Sequence, residues 1–281
     1  MNFKIIKEWM KNNLPSPLLH ALRVFYNIIV HVKSFFVYHL YDSSAYWRSR
    51  AKGDGESRVL WKNEEYNRLY RDVQRSFIEP YIRALKEGDW VLDIGCGIGR
   101  VAKMMAHMNP KINIDAVDFP EMVEVAVKEN KGSNIRYIAS SAEAYYDAKK
   151  KYSLILSSAC FSAIRHVPTM ERAIENCVRM LAPGGYIIMM DPFHTWNYLA
   201  RVKYSSKQVI KFMKSHGLEL IHKSGVLFWP YRVWLCNADL PNFETQRLFR
   251  QGEMLLSILG KNLWSDYKIL VFKKLIDGEK L

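Results

Sequence analysis

From Lys86 onward, short apolar runs alternate with amphipathic stretches. Trp90–Ile94, Ile112–Asp118, Ile135–Ala139, Tyr152–Ser157 and Gly185–Met190 read as strands. Leu218–His222 and Tyr267–Phe272 are the last strand candidates. Between them, Val101–Met108, Pro120–Glu129, Thr169–Leu181 and Ser206–His216 carry helical periodicity. Pro120 stands at a first turn and Gly217 just past a last one. This βαβα order predicts an α/β fold: a doubly wound, Rossmann-like sheet of seven strands, mostly parallel, with an antiparallel last strand.

The stretch before Lys86 reads differently. Residues 46–85 are polar and helical in pattern, with a Gly-Asp-Gly turn at Gly53–Gly55. Residues 1–45 are basic and rich in aromatic and aliphatic side chains. Lys4, Lys7 and Lys11 recur at helical spacing until Pro15 and Pro17 break the run. His20, Arg23, Asn27, His31 and Ser34 then form one polar stripe on an otherwise apolar helix. The expected division is an N-terminal helical extension over 1–45, a helical cap over 46–85, and a main domain over 86–281 with an acceptor-pocket insertion at about 226–262.

Charge sharpens the reading of the extension. The chain carries 41 Lys and Arg against 28 Asp and Glu, a net +13. Residues 1–52 hold eight basic side chains and two acidic ones. A basic amphipathic helix suits an anionic membrane surface, or covers the mouth of a site. The polar residues inside Leu18–Tyr41 argue against a membrane span, and no small-residue cleavage site follows an apolar run. Four cysteines without a CxxC pair suggest neither zinc nor redox chemistry, and point to the cytoplasm.

The strongest chemical signal is Val91-Leu92-Asp93-Ile94-Gly95-Cys96-Gly97-Ile98-Gly99-Arg100. A strand runs into Gly-x-Gly-x-Gly and a helix follows, the arrangement that brings backbone close to a ligand at the carboxyl end of a strand. The third glycine comes one residue too early for the dinucleotide fingerprint. The Asp-Ile-Gly-Cys-Gly form closely resembles motif I of the class I S-adenosylmethionine-dependent methyltransferases. Arg179-Met180-Leu181-Ala182-Pro183-Gly184-Gly185 is similar to that family's turn into strand five, so the resemblance runs over roughly Lys86–Leu220.

The resemblance implies S-adenosylmethionine as cofactor and S-adenosylhomocysteine as product. It implies cofactor contacts from Asp93, Gly95, Cys96, Gly97 and Gly99, a ribose-binding role for Asp118, and packing of Phe119 beside adenine. Ser141 stands where the family often has Asp before Ala142, so the adenine contact there is differently made. Backbone near Ser158 lies beside the cofactor in such enzymes. Arg50, behind Tyr46-Trp47, matches a residue that covers the cofactor and pairs with its carboxylate.

For the acceptor, His194 follows strand five on the site face and is the first choice of general base; His166, after strand four, is the second. Asp191 is the expected partner of a neighbouring His. Asp191-Pro192-Phe193 resembles an amino-group methylation motif but lies one strand too late for it. Cys160 lacks the preceding Pro of cytosine-C5 enzymes. No metal-ligand cluster stands out. The expected reaction is O-methylation of a small or lipid-linked acceptor such as a sugar. An RNA or protein methyltransferase, or a binding module without turnover, are the alternatives; nucleic acid is the less favoured partner.

Overall fold

The computed structural model describes residues 43–194 and 204–276. Asp42–Leu281 forms one compact unit. The expectations for residues 1–40 therefore lie outside the described residues.

After α1 (Ser43–Arg50) and a single 3₁₀ turn (Gly55–Arg58) comes the long α2 (Glu64–Arg83). The chain then alternates β1 (Trp90–Ile94), α3 (Arg100–Met108), β2 (Asn113–Asp118), α4 (Pro120–Glu129) and β3 (Ile135–Ala139). It continues through β4 (Tyr152–Ser158), α5 (Val167–Met180), β5 (Leu181–Asp191), α6 (Ser206–Ser215) and β6 (Leu218–Phe228). Three helices, α7 (Trp229–Leu235), α8 (Asn242–Leu259) and α9 (Lys261–Trp264), precede the last strand, β7 (Ser265–Lys274).

The strands form one seven-stranded sheet in the order β3-β2-β1-β4-β5-β7-β6. β1 to β5 run parallel, and β7 lies antiparallel between β5 and β6. Strand order reverses between β1 and β4, which opens a crevice outside their carboxyl ends.

Alternation along the strands feeds two layers. Val91, Leu154, Ile188, Ile269 and Val271 face a core shared with Tyr70, Ile78 and Ile82 of α2, Met105 of α3 and Leu256 of α8. Leu92, Ile155, Ile187, Leu270 and Phe272 face Met170 and Ile174 of α5 and Val209 and Met213 of α6. Side chains of α2 are thus part of the main core.

Several boundaries differ from the sequence reading. α5 begins two residues earlier than expected, with Pro168 in its first turn. α6 starts at Ser206 as expected, behind a capping box between Ser205 and Gln208. β6 runs to Phe228, six residues past the predicted end, so the insertion is the helical α7–α9 segment. As the outer strand of the sheet, β6 keeps polar Glu219, Lys223 and Ser224 along its length, with a register shift between Leu220 and His222. Those polar residues hid the strand from an apolar pattern.

Candidate active site

The glycine turn leaves β1 with Gly95, Gly97 and Gly99 all at positive φ, 75°, 56° and 79°. Each is also crowded. A Cβ on Gly95 would lie 2.4 Å from Cys160, one on Gly97 2.6 Å from Val59, and one on Gly99 2.4 Å from the Tyr137 hydroxyl. The turn is pinned to β2, because the amides of Gly95 and Cys96 donate to the Val117 carbonyl at 2.8 and 3.0 Å.

Asp118, at the end of β2, closes the turn. Its Oδ2 accepts from the Gly97 amide and its Oδ1 from the Phe119 amide, both at 2.7 Å. A carboxylate oxygen holds more than one lone pair, so both oxygens can still accept from a diol. Burial pushes the Asp118 carboxyl up to about 6 against those two amide bonds. Burial likewise lifts Asp93 to about 7, with Arg71 drawing it down, and Asp93 Oδ2 has no hydrogen-bond partner.

These observations fit S-adenosylmethionine. The turn needs glycine, a buried carboxylate oxygen is left orphaned beside it, and the acids at the ends of β1 and β2 favour a cation over a diphosphate. Gly95, Cys96, Gly97 and Gly99 would cradle the cofactor, Asp118 would take its ribose, and Asp93 would face its positive end.

The segment before α2 lies over this turn. Val59 rests against Gly97. Arg58 pairs with Glu129 at 2.7 Å, and Arg48 stacks on Phe119 with its guanidinium 4.9 Å from the ring centre. Glu56 pairs with Arg71 at 2.9 Å, Arg71 donates to Gln74 at 2.7 Å, and Gln74 donates to Ser158 Oγ at 2.6 Å. None of Glu56, Arg71 and Gln74 was singled out from sequence; their spacing on a polar helix carries no motif.

Arg50 lies at the turn before α2. It donates to the carbonyls of Ser57 and Leu60, the latter at 2.7 Å, and to the Tyr46 hydroxyl at 3.1 Å. Its guanidinium is occupied in holding the turn before α2, while Arg48 is the arginine that reaches Phe119. Ser141 and Ala142 sit half-buried after β3, where the Ser141 carbonyl accepts from the Tyr145 amide at 3.0 Å.

On the acceptor side, Asp191 is fully buried at the end of β5. Its carboxylate accepts from Ser157 Oγ at 2.9 Å and from Ser162 N and Oγ at 3.0 and 2.8 Å. Burial pushes it up to about 6, opposed by those bonds. Asp191 thus holds the β4–β5 loops through these bonds, while Asp266 is the acid found beside His194. His166 is exposed at the start of α5 with Nδ1 2.8 Å from Thr169 Oγ1.

His194 is buried, and its Nε2 lies 3.1 Å from Asp266 Oδ1. Arg232 of α7 places Nε 2.5 Å from the other carboxylate oxygen. Burial works to raise Asp266, but Arg232 and His194 outweigh it and hold the carboxyl well below its ordinary range. Arg232 also lies over the Trp61 ring, 5.8 Å from its centre. Next on β7, Lys268 is buried and donates to Ser265 O and Oγ at 2.7 Å; burial pushes its ammonium down to about 8. β7 runs antiparallel, so Ser265 and Asp266 start at the edge where β5 ends, beside His194.

The comparisons agree with this geometry. Residues 91–185 match a methyltransferase domain. A ubiquinone biosynthesis O-methyltransferase of Shewanella pealeana is 33% identical over 102 residues, 36% of this chain and 42% of that protein. The chain thus spans less than half the length of that relative. A ubiquinone biosynthesis O-methyltransferase of Coxiella burnetii is 25% identical over 189 residues, 58% of this chain and 77% of that protein. The N-methyltransferase NodS from Bradyrhizobium japonicum WM9, solved with S-adenosylhomocysteine, superposes with a TM-score of 0.56 at 16% identity. That superposition covers 83% of this chain and 99% of NodS and establishes the fold. With its glycine turn, its acids and its seven-stranded sheet, this chain carries a methyltransferase domain over residues 91–185 and has the fold of the class I S-adenosylmethionine-dependent methyltransferases.

Proposed function

We propose that the chain methylates a hydroxyl oxygen of a small or lipid-linked acceptor, such as a sugar, with His194 as general base. The observation that carries this reading is the His194–Asp266–Arg232 arrangement at the end of β5. Bound in the crevice, the cofactor supplies an electrophilic methyl group on a sulfonium. A hydroxyl acceptor must lose a proton as it attacks, and a buried imidazole beside an ionised carboxylate is suited to accept it. Asp266 would orient the ring, and Arg232 keeps Asp266 ionised. Trp61, which stacks edge-on with Tyr66 and Tyr267, would wall the acceptor side against water. The names of the two relatives support an oxygen acceptor, and ubiquinone supports a lipid-borne one.

Labelled S-adenosylmethionine and a fractionated cell extract provide the test. The reading expects label in an organic-extractable or saccharide fraction, as an ether stable to mild base. Label in RNA or protein alone would overturn it. His194→Ala should lose roughly 10²–10⁴-fold in kcat while still binding cofactor. Full turnover by that variant would remove His194 as the base.

A further inference from the structure

The insertion between β6 and β7 carries an apolar ledge. Single exposed hydrophobic residues are ordinary on a protein surface. Here Met254, Ile258, Leu259, Leu263 and Trp264, five of the eleven residues from 254 to 264, are exposed, and Ile258 is 71% exposed. Trp234 of α7 is exposed as well. The outer stripe of α8 steps from Phe243 through Arg247 and Arg250 to Met254 and Ile258, and Lys261 follows on α9. The stripe is thus apolar at both ends and basic in its middle.

Two features say what this ledge meets. Its chemistry is that of a membrane interface: bulky aliphatic side chains, tryptophans that pair an apolar body with a polar N–H, and cations at the rim. Over residues 242–264, Arg247, Arg250 and Lys261 outnumber Glu244 and Glu253, and this local positive balance favours an anionic partner. Its position adds to this. Trp264 directly precedes Ser265 and Asp266, so the ledge borders the edge of the sheet where Asp266 meets His194.

We propose that α8 and α9 dock on an anionic lipid bilayer, with Ile258, Leu263 and Trp264 in the headgroup–acyl boundary and Arg247, Arg250 and Lys261 on lipid phosphates. This surface is distinct from residues 1–40, and its docking does not depend on which acceptor is methylated. Where the acceptor is lipid-borne, docking presents it to the edge of the sheet without extraction from the membrane.

The test is sedimentation of the full chain with vesicles of phosphatidylglycerol and phosphatidylethanolamine, against vesicles of phosphatidylcholine alone. No acceptor is added, so the result is separate from the acceptor assignment. Wild type should partition onto the anionic vesicles. Ile258→Asp with Leu263→Asp should weaken partitioning at least about tenfold. Arg247→Glu with Arg250→Glu should remove the preference for anionic lipid by a similar factor. Calorimetry with S-adenosylmethionine checks that both variants remain folded. Unchanged partitioning of the apolar variant would overturn the proposal and assign membrane affinity elsewhere, residues 1–41 included. Overturning it equally would be a wild-type dimer that ignores vesicles and becomes a monomer in the apolar variant.

Discussion

Asp266 Oδ2 lies 2.5 Å from Arg232 Nε, and the opposite oxygen of the same carboxylate lies 3.1 Å from His194 Nε2. One buried acid therefore serves a guanidinium and an imidazole from different elements. Asp266→Asn should lower kcat by at least about tenfold and leave cofactor affinity unchanged, because the residue lies beside His194, the proposed base, and not at the glycine turn. Steady-state kinetics beside calorimetry would separate the two effects. A parallel fall in cofactor affinity would contradict the assignment.

Arg232→Met leaves Asp266 buried with only an imidazole for company. Breaking a buried pair from one side typically costs about 3–5 kcal/mol, and chemical denaturation should show a loss of that order at pH 7.5. The pH dependence should change too. A carboxyl held below its ordinary value contributes stability that is present above the unfolded pKa and lost as pH falls through the folded one. Without Arg232 that contribution shrinks, and the variant should lose less stability than wild type as pH falls from about 4 to about 2.

The acids around the glycine turn have the opposite sign. Asp93 is lifted from 3.8 to about 7 by burial, and Asp118 from 3.8 to about 6. Their stabilising contribution is complete below the unfolded value and is lost as pH rises through 6 and 7. Cofactor-free protein should therefore gain thermal stability on going from pH 7.5 to pH 5.5. Asp93→Asn should raise stability at pH 7.5 by roughly 1–3 kcal/mol, flatten that dependence and weaken cofactor binding. Thermal scans across pH, with and without cofactor, would decide it.

Ligand affinity should follow the same two groups in reverse. S-adenosylmethionine carries one more positive charge than S-adenosylhomocysteine, so its affinity depends more on ionised carboxylates. Calorimetry should find its binding tightening from pH 5.5 to pH 8, with a smaller change for the product. Equal pH slopes for the two ligands would argue against Asp93 and Asp118 as the source.

Gly97 combines a φ of 56° with a Cβ position 2.6 Å from Val59 Cγ1. Gly97→Ala should weaken cofactor binding at least about tenfold, and adding Val59→Ala should restore part of it by relieving the contact but not the backbone strain. Gly97→Arg should abolish binding. A double-mutant cycle read by calorimetry measures the coupling.

The strands that carry the glycine turn, Asp118 and His194 at their ends are legible in the chain, since the apolar run of each is plain. What escaped depends on contacts between distant elements. Asp266 opens an antiparallel strand 72 residues after His194, and no periodicity links them. Asp191 looked like the partner of His194 because it stands three residues away in sequence. Parallel pairing of β4 with β5 instead brings Ser157 and the loop carrying Ser162 to it. Arg50 was drawn to the cofactor by its neighbourhood, but the carbonyls of Ser57 and Leu60 turn back across its guanidinium.

The shared core beneath α2 bears on how this enzyme can be cut. The methyltransferase domain is matched over residues 91–185, yet Tyr66, Tyr70, Ile78 and Ile82 fill the same layer as Val91, Leu154 and Ile188. Burying each such side chain is worth about 1.5–3 kcal/mol, comparable in sum to the whole stability of a domain. Asn63 ties the start of that helix to the insertion through the carbonyls of Leu235 and Ala238, both at 3.1 Å. The recognisable segment is therefore not a transplantable module. Grafts and chimaeras need to carry everything from α2 to β7, because a fragment trimmed to its signature would expose the wall on which the signature is built.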